Sequence, residues 1–239
     1  MKTAMILAAG FGTRMQPLTL TRPKALVEVG GITLLERNIH YLKSFGISEI
    51  VINVHHFAQQ IIDFLQEKDH FGIEIFVSDE RDAILETGGG LQRAKPFFHA
   101  KEDFVLMNVD MLTNLSLSHI AEYHHSKPHS LATLAVTARV SSRQLLFDEE
   151  MKLAGWQSEK ETLLVQKNEK VLKQRAFSGI HIISPKIFAH LEMEGKFSII
   201  TAYLALAKTH NLYGYDHTGD LLLDVGKPEA IAKAVEIFG

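Results

Sequence analysis

The sequence has no cysteine, no long apolar run and no strong excess of charge of either sign. Without cysteine, the chain cannot form disulfides, thiolate metal sites or a cysteine nucleophile. Its 25 Lys and Arg residues stand against 28 Asp and Glu residues, for a formal net charge of -3. No broad basic surface therefore favours nucleic acid or an anionic membrane as a partner. Any phosphate has to be bound by local groups.

No stretch of the sequence has the length and apolarity needed to span a bilayer, and the first apolar run is too short for a signal peptide. We therefore expect a cytoplasmic protein with no membrane partner. Hydrophobic residues make up 46% of the 239 residues and charged residues 22%, which is typical of a globular protein with a sizeable core. We expect one domain over residues 1–239.

Short β-rich runs alternate with longer amphipathic stretches along the chain. Strands are predicted at Thr3–Leu7, Glu49–Val54, Ile73–Ser78, Phe104–Met107, Leu131–Val136, Gly179–Ile183 and Leu212–Tyr215. Helices are predicted at Leu34–Phe45 and Ala58–Glu67, after the glycines Gly88–Gly90 as far as Lys95, from Asn114 or Ser116 to His124, and at Pro185–Leu191, Ile199–Thr209 and Pro228–Phe238. This order predicts an α/β fold, with a single Rossmann-like mixed, mostly parallel sheet and helices on both faces. Residues 140–175 read as a small β-rich insertion.

A glycine-rich loop with two cations follows the first predicted strand, where ligands bind in open α/β sheets. Its glycines let the backbone turn sharply and bring N–H groups close to a ligand, while a hydroxyl, a guanidinium and an ammonium suit phosphate oxygens. The candidate set is Ala8, Gly10, Gly12, Thr13, Arg14 and Lys24. A P-loop is excluded because its G-K-[ST] ending is missing, and a dinucleotide fingerprint is excluded because its third glycine position holds Met15.

Two aspartates, Asp110 and Asp224, each follow a short apolar run. Either one alone could serve as a turn or helix-cap residue. Together they could hold Mg²⁺, which prefers oxygen ligands and usually takes one or two carboxylates beside phosphates and water.

The run Ala8–Arg14, followed by Pro23-Lys24-Ala25-Leu26, resembles the L-A-A-G-x-G-T-R and P-K-x-L signatures of sugar-1-phosphate nucleotidylyltransferases. This resemblance implies that the glycine loop wraps a nucleoside triphosphate and that Arg14 and Lys24 are catalytic groups on its phosphates. It also implies that Asp110 and Asp224 are magnesium ligands, since the family carries aspartates in N-x-D and W-x-D-x-G contexts. Leu222 replaces the tryptophan of the second context.

The resemblance extends to the base and sugar pockets. It implies that Thr87, Gly88 and Gly89 line the base pocket, although the residues alone also allow a flexible loop with a glycine helix entry. It places Ser178 and Gly179, and less securely Gly155, beside the sugar. The family's E-K-P segment, whose lysine binds the sugar phosphate, is missing, and Lys173 or Arg175 could substitute for it.

Taken together, these segments look most like the short bacterial N-acetylmuramate 1-phosphate uridylyltransferases, and they also resemble mannose- or heptose-1-phosphate guanylyltransferases. The resemblance implies an enzyme that forms a nucleotide sugar and pyrophosphate from a nucleoside triphosphate and a sugar 1-phosphate with Mg²⁺, as a monomer or homodimer. A metal-dependent glycosyltransferase and a non-catalytic nucleotide-sugar sensor are the alternatives from other classes.

Overall fold

The computed structural model describes residues 1–99, 102–165 and 172–239, so residues 166–171 of the predicted insertion lie outside the described part. The strands are β1 Thr3–Leu7, β2 Glu28–Val29, β3 Ile32–Thr33, β4 Glu49–Val54, β5 Glu74–Asp79, β6 Phe104–Asn108, β7 Met111–Thr113, β8 Ser130–Thr137, β9 Arg143–Phe147, β10 Leu153–Ser158, β11 Thr162–Leu164, β12 Lys173–Ile183, β13 Asn211–Asp216 and β14 Leu222–Asp224. The helices are α1 Leu34–Ser44, α2 Ala58–Glu67, α3 Glu86–Ala94, α4 Leu117–Ser126, α5 Ile199–Leu206 and α6 Glu229–Phe238. In these ranges, none of the helices has the length and apolarity needed to cross a membrane.

The central sheet is mixed. Strands β5, β4, β1 and β6 lie side by side in parallel, β12 joins β6 in antiparallel orientation, and β8 and β13 continue beyond β12 as a parallel pair. The first part of β12 also pairs with β9, which carries β10 and β11 at the sheet's other branch. The predicted fold class is confirmed. The extent of the domain stays a prediction.

Alternation along β1 gives the sheet two buried faces, as expected for a strand covered on both sides. Ala4 and Ile6 belong to a core that includes residues of α1, α2 and α4. Met5 and Leu7 belong to a second core, which includes residues of α3 and α5. Helices therefore cover both faces, and β1 is held at the centre of the molecule.

The strand order places a ligand crevice at one edge of the sheet. From β1 the chain proceeds to β4 and β5 on one side and then crosses to β6 on the other, so the direction of winding reverses beside β1. Ligands of open α/β sheets bind outside the carboxyl ends of the strands at such a switch point. The segments that follow β1 and β6 contain the predicted phosphate loop and Asp110.

Most element bounds differ from the prediction by a few residues, and three of the differences have a clear physical meaning or change the type of element. The glycines Gly88–Gly90 lie inside α3 rather than ahead of it, because they pack closely against other elements, as described below. Strand β12 begins at Lys173 and not at Gly179, since its polar first residues pair with β9. The segment predicted as a helix from Pro185 is a short 3₁₀ helix that ends at Ala189.

Candidate active site

The loop after β1 folds back on itself so that Lys24 lies against Gly12. Gly12 has φ +65°, and a Cβ atom there would lie 3.0 Å from the Cβ of Lys24 and 3.0 Å from the Cγ2 of Thr19. The Thr19 hydroxyl donates to the carbonyl of Gly12 at 2.8 Å and fixes this turn. Glycine is therefore required at Gly12 both by its left-handed backbone and by the close approach of the lysine segment.

A short antiparallel ribbon brings the two predicted aspartates together. Strands β7 and β14 pair with Asp224 opposite Met111, and the N–H of Val225 donates to the carbonyl of Asp110 at 2.8 Å. Asp110 directly precedes β7 and Asp224 ends β14, so both side chains lie at the same end of the ribbon. The tertiary fold thus joins residues that are 114 positions apart in the sequence.

Charges of both signs are concentrated around this pair. The Lys24 ammonium donates to Asp110 Oδ2, and the two side chains are only 11% and 16% exposed. Partial burial raises the pKa of Asp224, the charge of Asp110 raises it further, and Lys24, Arg14 and Arg139 oppose the rise. The ribbon therefore carries two crowded carboxylates that are stabilised by any added positive charge.

This donor set fits a magnesium ion. Two carboxylates and the oxygens of a bound triphosphate are the ligands Mg²⁺ usually takes, with water completing its shell. In the described part of the chain there is no group of three or more His, Asp or Glu side chains that could hold a metal without such help. Asp110 and Asp224 are the residues that would hold it.

A cavity of about 440 Å³ opens beside these groups at the carboxyl ends of β1 and β6. Its lining includes Ala8, Gly10, Gly12, Thr13, Arg14, Lys24, Thr87 and Asp110 from the predicted set. It also includes Asn53, Asn108, Ser198 and Gly226, which sequence reasoning missed. Gly226 has a steric reason for its identity, since a Cβ there would lie 2.6 Å from Asp224 Oδ1 and 3.2 Å from an Arg14 nitrogen.

The predicted base-pocket glycines lie on the buried side of α3. A Cβ at Gly88 would lie 2.4 Å from the Phe197 ring, and one at Gly89 would lie 2.1 Å from the carbonyl oxygen of Gly195. The N–H of Gly88 donates to the Phe197 carbonyl at 2.9 Å, and the Thr87 hydroxyl accepts from Ile199 N–H at 2.9 Å. These glycines let α3 dock closely on the segment before α5. A direct role in nucleotide binding stays a prediction, since they do not line the cavity.

A buried polar chain supports the start of the phosphate loop. Asn53 accepts from the N–H of Ala8 at 2.7 Å and donates to Glu80 Oε1 at 2.7 Å. Glu80 is fully buried, and burial raises the pKa of its carboxyl group. A Cβ at Gly90 would lie 2.7 Å from this carboxylate, which explains the third glycine of the run. The only sequence signal for these hydrogen bonds was Asn53, a lone asparagine inside the mostly apolar strand β4.

The three residues predicted at the sugar do not line this cavity. Ser178 is fully buried, and its hydroxyl is hydrogen-bonded to His217 at 2.8 Å. Gly179 has φ +71°, and a Cβ there would lie 2.8 Å from the amide nitrogen of Asn108. In β10, a Cβ at Gly155 would lie 2.5 Å from the carbonyl of Leu163. Their contact with a sugar stays a prediction.

Comparison with known proteins gives one consistent family. The sequence profile of the family described as Nucleotidyl transferase matches residues 3–237. The chain is 32% identical to an N-acetylmuramate alpha-1-phosphate uridylyltransferase of Caulobacter vibrioides, over 96% of this chain and 93% of the relative. It is 27% identical to a mannose-1-phosphate guanylyltransferase catalytic subunit beta of Drosophila pseudoobscura pseudoobscura, over 95% of this chain and 59% of the relative, so it spans little more than half of that protein.

A solved structure agrees with the fold. The crystal structure of HddC from Yersinia pseudotuberculosis superposes with a TM-score of 0.81 at 24% identity, and the match covers 100% of both chains. At this level of identity the likeness concerns the arrangement of strands and helices.

Proposed function

Because this chain belongs to the nucleotidyl transferase family, we propose that it is a uridylyltransferase that forms a UDP-sugar and pyrophosphate from UTP and N-acetylmuramate 1-phosphate. Its broader class, sugar-1-phosphate nucleotidyltransferase, follows from the family and from relatives of that class. The uridylyl assignment is supported by the higher identity to the uridylyltransferase, 32% against 27%. Such an activity suits cell-wall recycling.

The observation that carries the proposal is the convergence of two cations and two carboxylates on one cavity. Arg14, Lys24 and Asp110 line it, and Asp224 lies beside them on the ribbon. A reaction between two anions needs such an arrangement, because the reacting phosphates repel each other until their charge is neutralised.

The chemistry is a direct displacement at phosphorus. An oxygen of the sugar phosphate attacks the α-phosphorus of UTP, the bond from that phosphorus to the bridging oxygen breaks, and the electron pair leaves with pyrophosphate. The attacking oxygen is already anionic, so the site has to supply position and charge rather than a strong base. Bound Mg²⁺ would supply positive charge beside the phosphates.

The chain's own groups divide this work. Gly10 and Gly12 let backbone N–H groups approach the triphosphate without a Cβ in the way. Arg14 presents a guanidinium fork and Lys24 an ammonium, and both stabilise the charge that develops on the departing pyrophosphate. Asp110 and Asp224 would hold Mg²⁺ when it is bound. Asn53, through Ala8, keeps the loop in position.

The alternative is a mannose- or heptose-1-phosphate guanylyltransferase, which the mannose-specific relative supports. Both reactions use the same phosphate geometry and differ in the base and the sugar. A panel of nucleoside triphosphates and sugar 1-phosphates with Mg²⁺, assayed by pyrophosphate release, separates them. UTP with N-acetylmuramate 1-phosphate should give the highest kcat/KM, and a clear preference for GTP would replace the uridylyl assignment.

The matched variants are Lys24→Ala, Asp110→Asn and Lys173→Ala. We expect the first two to lose at least about 100-fold in kcat, because each removes a charge at the reacting phosphates. Both should remain folded, with a lower Tm than the wild type, because each leaves a mostly buried charge without its partner. Lys173 donates to the carbonyl of Glu149 away from the cavity, so its variant should keep wild-type activity. Near-normal turnover in Lys24→Ala or Asp110→Asn would refute the site.

A further inference from the structure

The sugar phosphate needs a cationic partner that the nucleotide side does not already use. Lys24 contacts Asp110, and Arg14 lies beside Gly226 and Asp224. In the proposed function, both cations act on the triphosphate. The second anion of the reaction requires another group.

Neither of the basic residues suggested by the sequence fills this role. Lys173 donates to the backbone carbonyl of Glu149 at 3.1 Å. Arg175 is paired with Asp216 at 2.6 Å. Both lie on the part of β12 that pairs with β9. The charge of Arg175 is balanced by Asp216, and the carbonyl that Lys173 contacts belongs to the turn between β9 and β10.

Arg139 is better placed. It follows β8, it is exposed, and its Nη2 donates to the carbonyl of Phe177 at 2.8 Å. Phe177 directly precedes Ser178 and Gly179, so this hydrogen bond holds the guanidinium against the segment predicted to lie beside the sugar. Within the residues that the structure describes, Arg139 forms no ion pair with a carboxylate. A guanidinium has five N–H donors, so most of them remain available to an anion.

A second cavity of about 410 Å³ includes Ser141 in its lining, two residues after Arg139 in the sequence. It contacts Phe177, whose carbonyl Arg139 holds, and it shares Ser198 with the nucleotide cavity. Trp156 and Phe177 give it aromatic surface, and Thr201, Arg143 and Glu161 are among its polar groups. An apolar wall with a few polar groups is the usual lining of a small-molecule pocket and suits the faces and hydroxyls of a sugar ring.

We infer that Arg139 binds the phosphate of the sugar 1-phosphate, while the sugar itself occupies the second cavity against Trp156. The inference rests on the proposed function for the identity of the ligand. A guanidinium at this point binds two phosphate oxygens at once and holds the anion beside the acidic pair, between the two cavities. Arg139 thus takes the place of the lysine that the missing E-K-P segment would have supplied.

The single tryptophan of the sequence makes the inference testable by binding as well as by turnover. Trp156 lines the second cavity, so its fluorescence should respond when N-acetylmuramate 1-phosphate binds. In Arg139→Gln we expect the half-saturating concentration of the sugar 1-phosphate to rise about 10- to 100-fold, the usual effect of losing a charged bidentate hydrogen bond. Unphosphorylated N-acetylmuramate should bind the variant and the wild type equally.

Turnover gives the second readout. The KM for the sugar 1-phosphate should rise in Arg139→Gln, the KM for the nucleoside triphosphate should stay within about twofold, and Arg139→Lys should recover part of the loss. Lys173→Gln is the matched control and should behave as the wild type. An unchanged KM for the sugar 1-phosphate in Arg139→Gln, or an increase in Arg143→Gln alone, overturns the inference.

The two hypotheses fail in different ways. Active wild-type enzyme with an insensitive Arg139→Gln variant refutes the role of Arg139 and leaves the proposed function intact. If no pair of substrates releases pyrophosphate, the proposed function fails, and the fluorescence titration with mannose 1-phosphate and N-acetylmuramate 1-phosphate still decides whether Arg139 binds the phosphate. Equal binding of phosphorylated and unphosphorylated sugars by the wild type counts against it.

Discussion

Replacing Asn53 by alanine removes the side chain that links Ala8, at the start of the phosphate loop, to Glu80, which precedes α3. The side chain is 2% exposed and makes two hydrogen bonds of 2.7 Å, one from the N–H of Ala8 and one to Glu80 Oε1. In Asn53→Ala, the N–H of Ala8 and one oxygen of Glu80 both lose their partner. The remaining contact of Glu80 is a long one of 3.4 Å from the N–H of Leu85.

The structure sets the expected magnitude. A buried polar group that loses its partner costs about 1–3 kcal/mol, and two are left here. Because Asn53 lines the nucleotide cavity, water can reach part of the gap and offset some of that cost. We expect Asn53→Ala to lower the free energy of unfolding by about 3 kcal/mol, which corresponds to a fall in Tm of about 6–12 °C for a domain of this size.

The measurement is urea unfolding at several pH values, with the KM for the nucleoside triphosphate recorded beside it. The amide of Asn53 lowers the pKa of Glu80 by stabilising its charged form, so the loss should be larger at about pH 8 than at about pH 4. The KM should rise because Ala8 is no longer held. Asn114→Ala is the control, since it removes one exposed hydrogen bond to Leu221 and should cost under about 1 kcal/mol. Wild-type stability and KM in Asn53→Ala would refute the reasoning.

Two further predictions concern the same region. Burial raises the pKa of Glu80 above its ordinary value of 4.5, so the folded protein loses stability as the pH rises from that value through the folded-state pKa. Glu80→Gln should remove this pH-dependent loss of stability. Urea midpoints that fall equally with pH in the wild type and in Glu80→Gln would contradict the prediction. Gly10 has nothing within 4 Å of an added Cβ, whereas Gly89 has the carbonyl of Gly195 at 2.1 Å. Gly10→Ala should therefore keep the wild-type Tm and raise the KM for the nucleoside triphosphate. Gly89→Ala should lower the free energy of unfolding by about 1–3 kcal/mol. Calorimetry measures the two stabilities, and initial-rate kinetics measure the KM.

The elements predicted with accurate bounds are those whose signal is local. Strands β1 and β4 are mostly apolar runs, and the pattern of α2 gives its observed limits, Ala58–Glu67. The phosphate loop is equally local, since Gly10 to Arg14 and Lys24 lie within one short segment. Short-range sequence patterns are sufficient there because the same few residues both shape the backbone and carry the charge.

Elsewhere a distant contact decides the structure. Three successive glycines have poor helix propensity, yet Gly88–Gly90 lie within α3 because Phe197, Gly195 and Glu80 approach too closely for any side chain. Likewise, the pairing of Asp110 with Asp224 depends on strands of three residues each. Runs this short have no periodicity from which their pairing could be predicted.

The region proposed to bind the sugar phosphate is also decided by distant contacts, because the surroundings of each basic residue there depend on the register of β12. The register with β8 shifts between Phe177 and His181, and this irregular segment includes Gly179, which lies against Asn108. The carbonyl of Phe177 meets Arg139 at one end of the segment, while Lys173 and Arg175 pair with β9 before it begins. Spacing along the sequence from Ser178 and Gly179 points to Lys173 and Arg175 on β12, whereas the phosphate-binding cation that we infer, Arg139, lies outside that strand. Arg139, which donates to this carbonyl, follows β8 and lies 38 positions earlier in the sequence. The proposed phosphate-binding residue is therefore connected to β12 by a tertiary contact that sequence spacing does not encode.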